Sequence, residues 1–465
     1  MKHRCIAALI SGCLLLLPLG ACSPPSGTPS EGDASASSPT PTRNPELEKL
    51  KPAAKLDETA VDIGLCVIEA LEIGQDNPMV APKRFELYKE LGIRTIRVGV
   101  LWGAIERKEG EFTRPLEVSY LQQIKKAGLR VKLSLGAVSV VPDWLMQRYP
   151  DAYLINEEGK RAVSSVTYLM PELREKLDIA LDNMLKFFAD EGVLDIVDII
   201  GIDMGPAGEP LYPPNWTQVS DGLYNPPSGP EHFWMYDPYM QADFKRAMQE
   251  KYGTIEAANE AWGQHYASFE ALTVPMPETV KGAMWNDVLT WYRDVKRRFM
   301  EENVQSYLKV INKYAGDRVK LMLYVPGADV RDEEWAEAVE SGSGSNMIRL
   351  MADSRFIIDM AAKYDNCYLQ YTGADNITEV RYLRNYMKEK GCEDIPFIGE
   401  NSGALNMGQN IKRFTQNLMR EGMSGIDIAH NVWLHEKDGY SPNKYFDSLK
   451  ENLGIFSDYL KRGME

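Results

Sequence analysis

The chain reads as an α/β protein, a single (β/α)₈ TIM barrel carrying a long insertion between its fourth and fifth strands. Three observations predict this. Eight short apolar runs, rich in β-branched residues, alternate with amphipathic helical stretches from about residue 59 onward. Glycines stand just past several of those helical stretches, where a left-handed residue ends a helix at little steric cost. One connection, Gly205 to Arg318, is far too long for an ordinary loop, and long loops in compact domains form functional elements or subdomains.

The expected strands follow in order. They are VDIGLCVI from Val61, TIRVGVLW from Thr95, LRVKLSL from Leu129 and DIVDIIGID from Asp195. VKLMLYV from Val319, CYLQY from Cys367, IPFIG from Ile395 and SGIDIAHNV from Ser424 complete the set. Runs buried on both faces fit parallel strands better than the alternating pattern of antiparallel ones. Helical patterns between them include PKRFELYKELG ending at Gly92, LEVSYLQQIKKAG ending at Gly128 and ELREKLDIALDNMLKFFADEG ending at Gly192. Longer helical patterns cover Val288 to Tyr314 and Asn443 to Leu460. A doubly wound open sheet is the alternative, but no Gly-rich phosphate loop follows the first strand.

The first 58 residues fall outside that pattern. Lys2 and Arg4 precede a mostly apolar run, Ile6 to Leu19, which is too short for a permanent membrane span and reads as an export signal. It ends in Leu19-Gly20-Ala21-Cys22, which resembles the bacterial lipobox. That resemblance implies cleavage before Cys22, lipidation of Cys22 and a lipoprotein held to a membrane at the cell surface or on the periplasmic side. Residues 23–58 begin with a Ser/Pro-rich tract that cannot bury enough surface to offset its chain entropy, so a disordered tether is expected. The catalytic domain is then expected over 59–465.

A formal net charge of -15 argues against nucleic-acid partners and against a polybasic membrane patch. Cys66, Cys367 and Cys392 are scattered, and the histidines His232, His265, His430 and His435 share no metal-binding interval. No cofactor and no metal site is expected.

Two tracts stand out as chemistry. IIGIDMGPAGEPLYP presents Glu209 a few residues past the fourth strand, in a Gly-Pro-Ala-Gly turn. IPFIGENSGA presents Glu400 directly after an apolar strand, beside Asn401 and Ser402, which offer it hydrogen bonds. Side chains at the carboxyl ends of barrel strands share one mouth. Two carboxyl groups there can serve as general acid and base. Each glutamate also has a plainer reading: Glu209 as a surface-turn carboxylate, Glu400 as half of a barrel-closing ion pair.

GIDMGPAGEPLYPP followed by MYDPYMQADFK, together with IPFIGENSGA, resembles glycoside hydrolase family 14, the β-amylases. GVLWGAIERKEGEF and LTWYRDVKRRF before VKLMLYVPG fit the same order, so the similarity spans most of the chain from about residue 60. The resemblance implies Glu209 as the acid and Glu400 as the base of an inverting hydrolysis, with α-1,4-glucan as the family's usual substrate. This chain departs from the family at several places. The connection GAVSVVPDWL leaves no room for the family's long lid, Gly99 stands where members carry an acidic residue, and Tyr324 and Asp329 replace a lysine and a histidine. A second resemblance, through IRVGVLWGAIERKEGEF, the short Pro-Asp-Trp-Leu connection and KYGTIEAANEAWG, is to the family 42 β-galactosidases, which retain configuration. The Asn-Glu motif of that family is missing after the fourth strand. A sugar-capturing lipoprotein without turnover is the alternative from another class.

Sugar rings stack on aromatic side chains, so Trp102, Tyr212 and Trp216 are the expected substrate platforms, with Trp433 a further possibility and Asn401 an expected polar contact. Core filling is the competing role for each aromatic. The expected partner is an oligo- or polysaccharide, with the membrane engaged only through the lipid anchor.

Overall fold

The computed structural model describes residues 45–69, 81–113, 115–137, 140–205, 208–215 and 230–465. The expected export signal, Cys22, most of the expected tether and Trp216 lie outside the described residues. The described residues form ten strands: β1 (Leu65–Ile68), β2 (Thr95–Leu101), β3 (Arg130–Gly136), β4 (Tyr153–Ile155), β5 (Arg161–Val166), β6 (Val197–Ile202), β7 (Lys320–Val325), β8 (Cys367–Tyr371), β9 (Phe397–Glu400) and β10 (Gly425–Ile428). Eight of them close a barrel in the order β1-β10-β9-β8-β7-β6-β3-β2, with every pairing parallel. Each barrel strand coincides with one of the eight runs expected from the sequence, β3 and β9 reaching one residue past theirs, to Gly136 and Glu400.

The helices pack outside because their apolar stripes face the sheet. Helices at Ala81–Glu90, Pro115–Lys126 and Pro171–Asp190 follow the expected patterns. Gly92 and Gly128 adopt φ of 80° and 71° just past the first two, a conformation that costs other residues steric strain. The first strand begins later than expected. Asp57 accepts a hydrogen bond from the Ala60 N–H at 2.7 Å and caps a helix over Glu58–Ile63, so strand pairing starts only at Leu65.

The expected boundary at residue 58 also moves. Leu47, Ala54 and Leu56 are buried, and Leu56 N–H donates to Gly463 O at 2.9 Å while Arg462 Nε donates to Leu50 O at 2.7 Å. The segment from about Leu47 therefore belongs to the folded body, stitched to the chain's last turn.

The insertion after β6 builds a second core. Tyr212, Phe233, Trp234, Trp285 and Tyr292 are buried together there, joined by Leu154 and Ala162 from the β4–β5 hairpin. That antiparallel hairpin has no counterpart among the expected strands. Tyr236 N–H donates to Ile155 O at 3.0 Å, tying insertion to hairpin on the carboxyl-end side of β6. Among the described residues, no helix is long and apolar enough to cross a membrane.

Candidate active site

The barrel interior is crossed by charged and polar side chains rather than filled only with aliphatic layers. Arg97 on β2 reaches Glu400 on β9 at 2.9 Å, and Lys132 on β3 reaches Asp427 on β10 at 2.5 Å. Neither strand pair is adjacent in the barrel, so both contacts must span its interior. Ser134 Oγ donates to Asp203 Oδ1 at 2.7 Å and sits 2.6 Å from the Tyr324 hydroxyl. Arg97 lies over the Tyr324 ring at 4.6 Å and 3.9 Å from Asp427. Burial works against its charge, but Tyr324, Glu400, Asp427 and Asp203 together push its pKa further up, so it stays a cation.

Glu209 is set by the turn that precedes it. Met204 N–H donates to Gly208 O at 3.1 Å and Gly208 N–H to Gly205 O at 2.9 Å, folding the chain back at the end of β6. Gly208 has φ of 96°, and a β-carbon there would lie 3.2 Å from Asp203 Oδ1 and 3.5 Å from Arg97 Nη2. Glycine thus lets the backbone carrying Glu209 pass close to the charged interior. The Thr372 hydroxyl, just past β8, donates to Glu209 Oε1 at 2.7 Å.

Glu400 ends β9 and is held differently. Arg97 Nη1 and Gln370 Nε2 both donate to Oε2. Among the described residues nothing bonds its Oε1, and that oxygen is not buried. Glu209 Oε2 is likewise free of side-chain partners among the described residues. Contrast Glu69, the acidic residue just past β1. Arg84 takes both of its oxygens, at 2.8 and 2.7 Å, and Tyr88 adds a third bond. Glu69 is spent on structure, whereas Glu209 and Glu400 each keep one oxygen free of side-chain partners among the described residues.

A single strand arranges this. Gln370 and Thr372 are two positions apart along β8 and its end, so both point to the same side, separated by roughly 6.6 Å of strand rise. One holds Glu400 and the other holds Glu209. Burial raises the pKa of both carboxyls. For Glu209 the Thr372 bond opposes the rise. For Glu400, Arg97 and Lys132 oppose it while Asp427 and Glu209 add to it, and the result is about 7. Glu209 thus lies within electrostatic reach of Glu400, and its charge helps to hold the Glu400 carboxyl in the neutral range.

The other residues expected to touch substrate have different places. Trp102 is 1% exposed, its indole N–H donates to Glu106, and its ring meets Trp144 edge-on at 6.2 Å. Tyr212 is fully buried, stacked on Tyr292 at 4.1 Å and on Tyr168 at 5.7 Å, and it is core of the insertion. Asn401 is buried as well. Its amide donates to Ala429 O and Ser402 O, and its carbonyl accepts the Ala429 N–H at 2.8 Å. It pins β9 to the end of β10 and does not orient Glu400, a role taken by Arg97 and Gln370. Trp433 remains partly exposed. Arg97, Lys132, Asp203, Gln370, Thr372 and Asp427 were not singled out from sequence. Arg97, Lys132, Gln370 and Asp427 are polar residues flanked on both sides by apolar ones within strand runs, the signal that could have found them.

The profile of Glycosyl hydrolase family 14 matches residues 74–324, more than half of the chain. The β-amylase of Bacillus cereus is 22% identical over 400 residues, covering 79% of this chain and 69% of that protein. The thermophilic β-amylase of Thermoanaerobacterium thermosulfurigenes is 26% identical over 396 residues, covering 76% and 67%. In fold, the catalytic domain of β-amylase from Paenibacillus polymyxa superposes with a TM-score of 0.68 at 20% identity, covering 83% of this chain and 96% of that domain. A β-galactosidase from Rahnella sp. R3 gives 0.60 at 16% identity over 89% of this chain and 58% of its own. The chain belongs to glycosyl hydrolase family 14 and is a glycoside hydrolase similar to the β-amylases.

Proposed function

We propose that this protein hydrolyses α-1,4-linked glucan or its oligosaccharides by a single displacement, with Glu209 as acid and Glu400 as base. Glu209 gives its proton to the glycosidic oxygen as the bond from that oxygen to the anomeric carbon breaks. A water attacks the same carbon from the opposite face and loses its proton to Glu400. The observation that carries the reading is the matched tethering of the two carboxyls, each held through one oxygen from β8 or the residue just past it, with the other oxygen free of side-chain partners among the described residues. The Arg97 guanidinium bonded to Glu400 favours the ionised form that a base needs. Family membership and the β-amylase names of the relatives support the choice of glucan.

The test is proton NMR of maltooligosaccharide digestion by the wild type. The expected first product is the β-anomer, inverted from the α-linkage. An α-anomer as first product would replace single displacement with a two-step, retaining route. Binding without sugar release would favour a capture protein.

We also propose export and anchoring through a lipid on Cys22, supported by the Leu19-Gly20-Ala21-Cys22 sequence and the Ser/Pro-rich tract after it. Labelled palmitate should enter the wild type and be lost in Cys22→Ser; equal labelling of both would remove the anchor.

A further inference from the structure

We propose that Lys132 is a positioning residue for Glu400, acting through Gln370 by fixing which end of the Gln370 amide faces the carboxylate. The proposal rests on reading Glu400 as the base. Lys132 is fully buried on β3, and its ammonium donates to Gln370 Oε1 and to Asp427 Oδ2. An ammonium group has three donors and no acceptor, so it accepts only the carbonyl end of an amide beside it. With that end held, the Gln370 NH₂ points the other way, and it donates to Glu400 Oε2. A carboxylate can only accept hydrogen bonds, whereas a protonated carboxyl would need to donate to whatever faces that oxygen. An amide locked with its NH₂ toward Glu400 therefore favours the ionised form that a base requires. Freed from Lys132, the amide can turn its oxygen to Glu400 and hold the acid instead.

The charge pattern agrees with this role. Lys132, Asp427, Arg97 and Glu400 alternate in sign through the barrel, with Lys132 to Asp427 at 2.5 Å, Asp427 to Arg97 at 3.9 Å and Arg97 to Glu400 at 2.9 Å. The two cations come from β2 and β3, and Tyr324 on β7 lies against Arg97. The groups that face Glu400 and this chain of charges are Arg97, Lys132, Gln370 and Asp427 in the barrel, Glu209 in the loop after β6, Asp203 and Tyr324 beside Arg97, and His430 after β10. The other role open to Lys132 is a structural plug that merely neutralises Asp427.

Titration of ¹³C-labelled glutamate by NMR separates the two, read alongside the pH profile of kcat/KM. In Lys132→Met the Glu400 midpoint should rise by about one pH unit or more, because a cation and an oriented donor are both lost. The acid limb of kcat/KM should move up by the same amount, since the base must be ionised. Gln370→Met, which removes the donor but leaves the Lys132–Asp427 pair, should move both in the same direction by less. Lys132→Arg, which keeps a donor-only cation, should restore the wild-type midpoint. Should Lys132→Met fail to fold because Asp427 is orphaned, Gln370→Met carries the test alone. A folded variant of either kind that titrates at the wild-type position overturns the proposal. The titration needs no turnover, so a protein that cleaves no glycan would sink the hydrolase reading without deciding this one.

Discussion

Glu400→Gln is expected to lower kcat on the wild type's glycan by about 10²–10⁴-fold, the range a positioned general base contributes. It is also expected to gain stability relative to the wild type as pH rises. The Glu400 carboxyl has a pKa of about 7 in the folded protein against an ordinary 4.5, chiefly because it is buried. A raised carboxyl pKa means that the folded state holds the proton more tightly than the unfolded chain does. Its favourable contribution is complete below about pH 4.5 and disappears as pH climbs through 7. Glutamine stays neutral throughout and escapes that loss. The stability difference between variant and wild type should thus grow by on the order of 1–3 kcal/mol between pH 4 and pH 8, readable in paired urea melts. A difference that stays flat with pH would mean that Glu400 is not strained by ionisation.

Arg97→Met is the substitution with the largest expected cost to the fold. Arg97 is the cation shared by Glu400, Asp427 and Asp203, and its removal leaves buried carboxylates facing one another. Breaking a buried pair from one side costs about 3–5 kcal/mol. Because the orphaned carboxylates can escape by taking up protons, the loss should be smaller at pH 5 than at pH 8. Surviving activity should shift in the same sense, with the Glu400 midpoint raised and turnover at pH 6 reduced more than at pH 8. Chemical denaturation at the two pH values checks the first statement, and pH–rate profiles check the second. Equal destabilisation at both would place the cost in packing and not in charge.

Much of this architecture was legible in the chain. Strands buried on both faces leave continuous apolar runs, and the glycines after Glu90 and Lys126 mark helix ends whose positive φ demands them. The misreadings have local causes. Asp57 caps a helix that takes Val61 to Ile63 away from the first strand. The β4–β5 hairpin is polar along much of its length, yet its turn carried a readable sign, since Asn156 Oδ1 accepts from the Glu158 and Lys160 N–H groups.

At the site, Glu209 and Glu400 were visible because a glycine-bounded turn and a strand end each expose a carboxyl. Their partners were not. Periodicity shows which strand positions are apolar, but it does not show that Arg97, Lys132, Gln370 and Asp427 converge from four different strands. Tyr212 misled for the opposite reason: it follows the Glu209 turn closely, but the insertion has its own core, and an aromatic there serves Tyr168 and Tyr292. Trp102 and Asn401 were likewise near the mouth in sequence and consumed by packing or backbone bonds in space.

The assignment of separate roles to the two carboxyls is tested most directly by comparing leaving groups. Glu209→Gln and Glu400→Gln would each be assayed on a maltooligosaccharide and on an aryl maltoside whose phenol departs without a proton. The account predicts that Glu209→Gln regains turnover on the aryl substrate and that Glu400→Gln stays slow on both. Wild-type rates in both variants, or rescue of Glu400→Gln in place of Glu209→Gln, would contradict it.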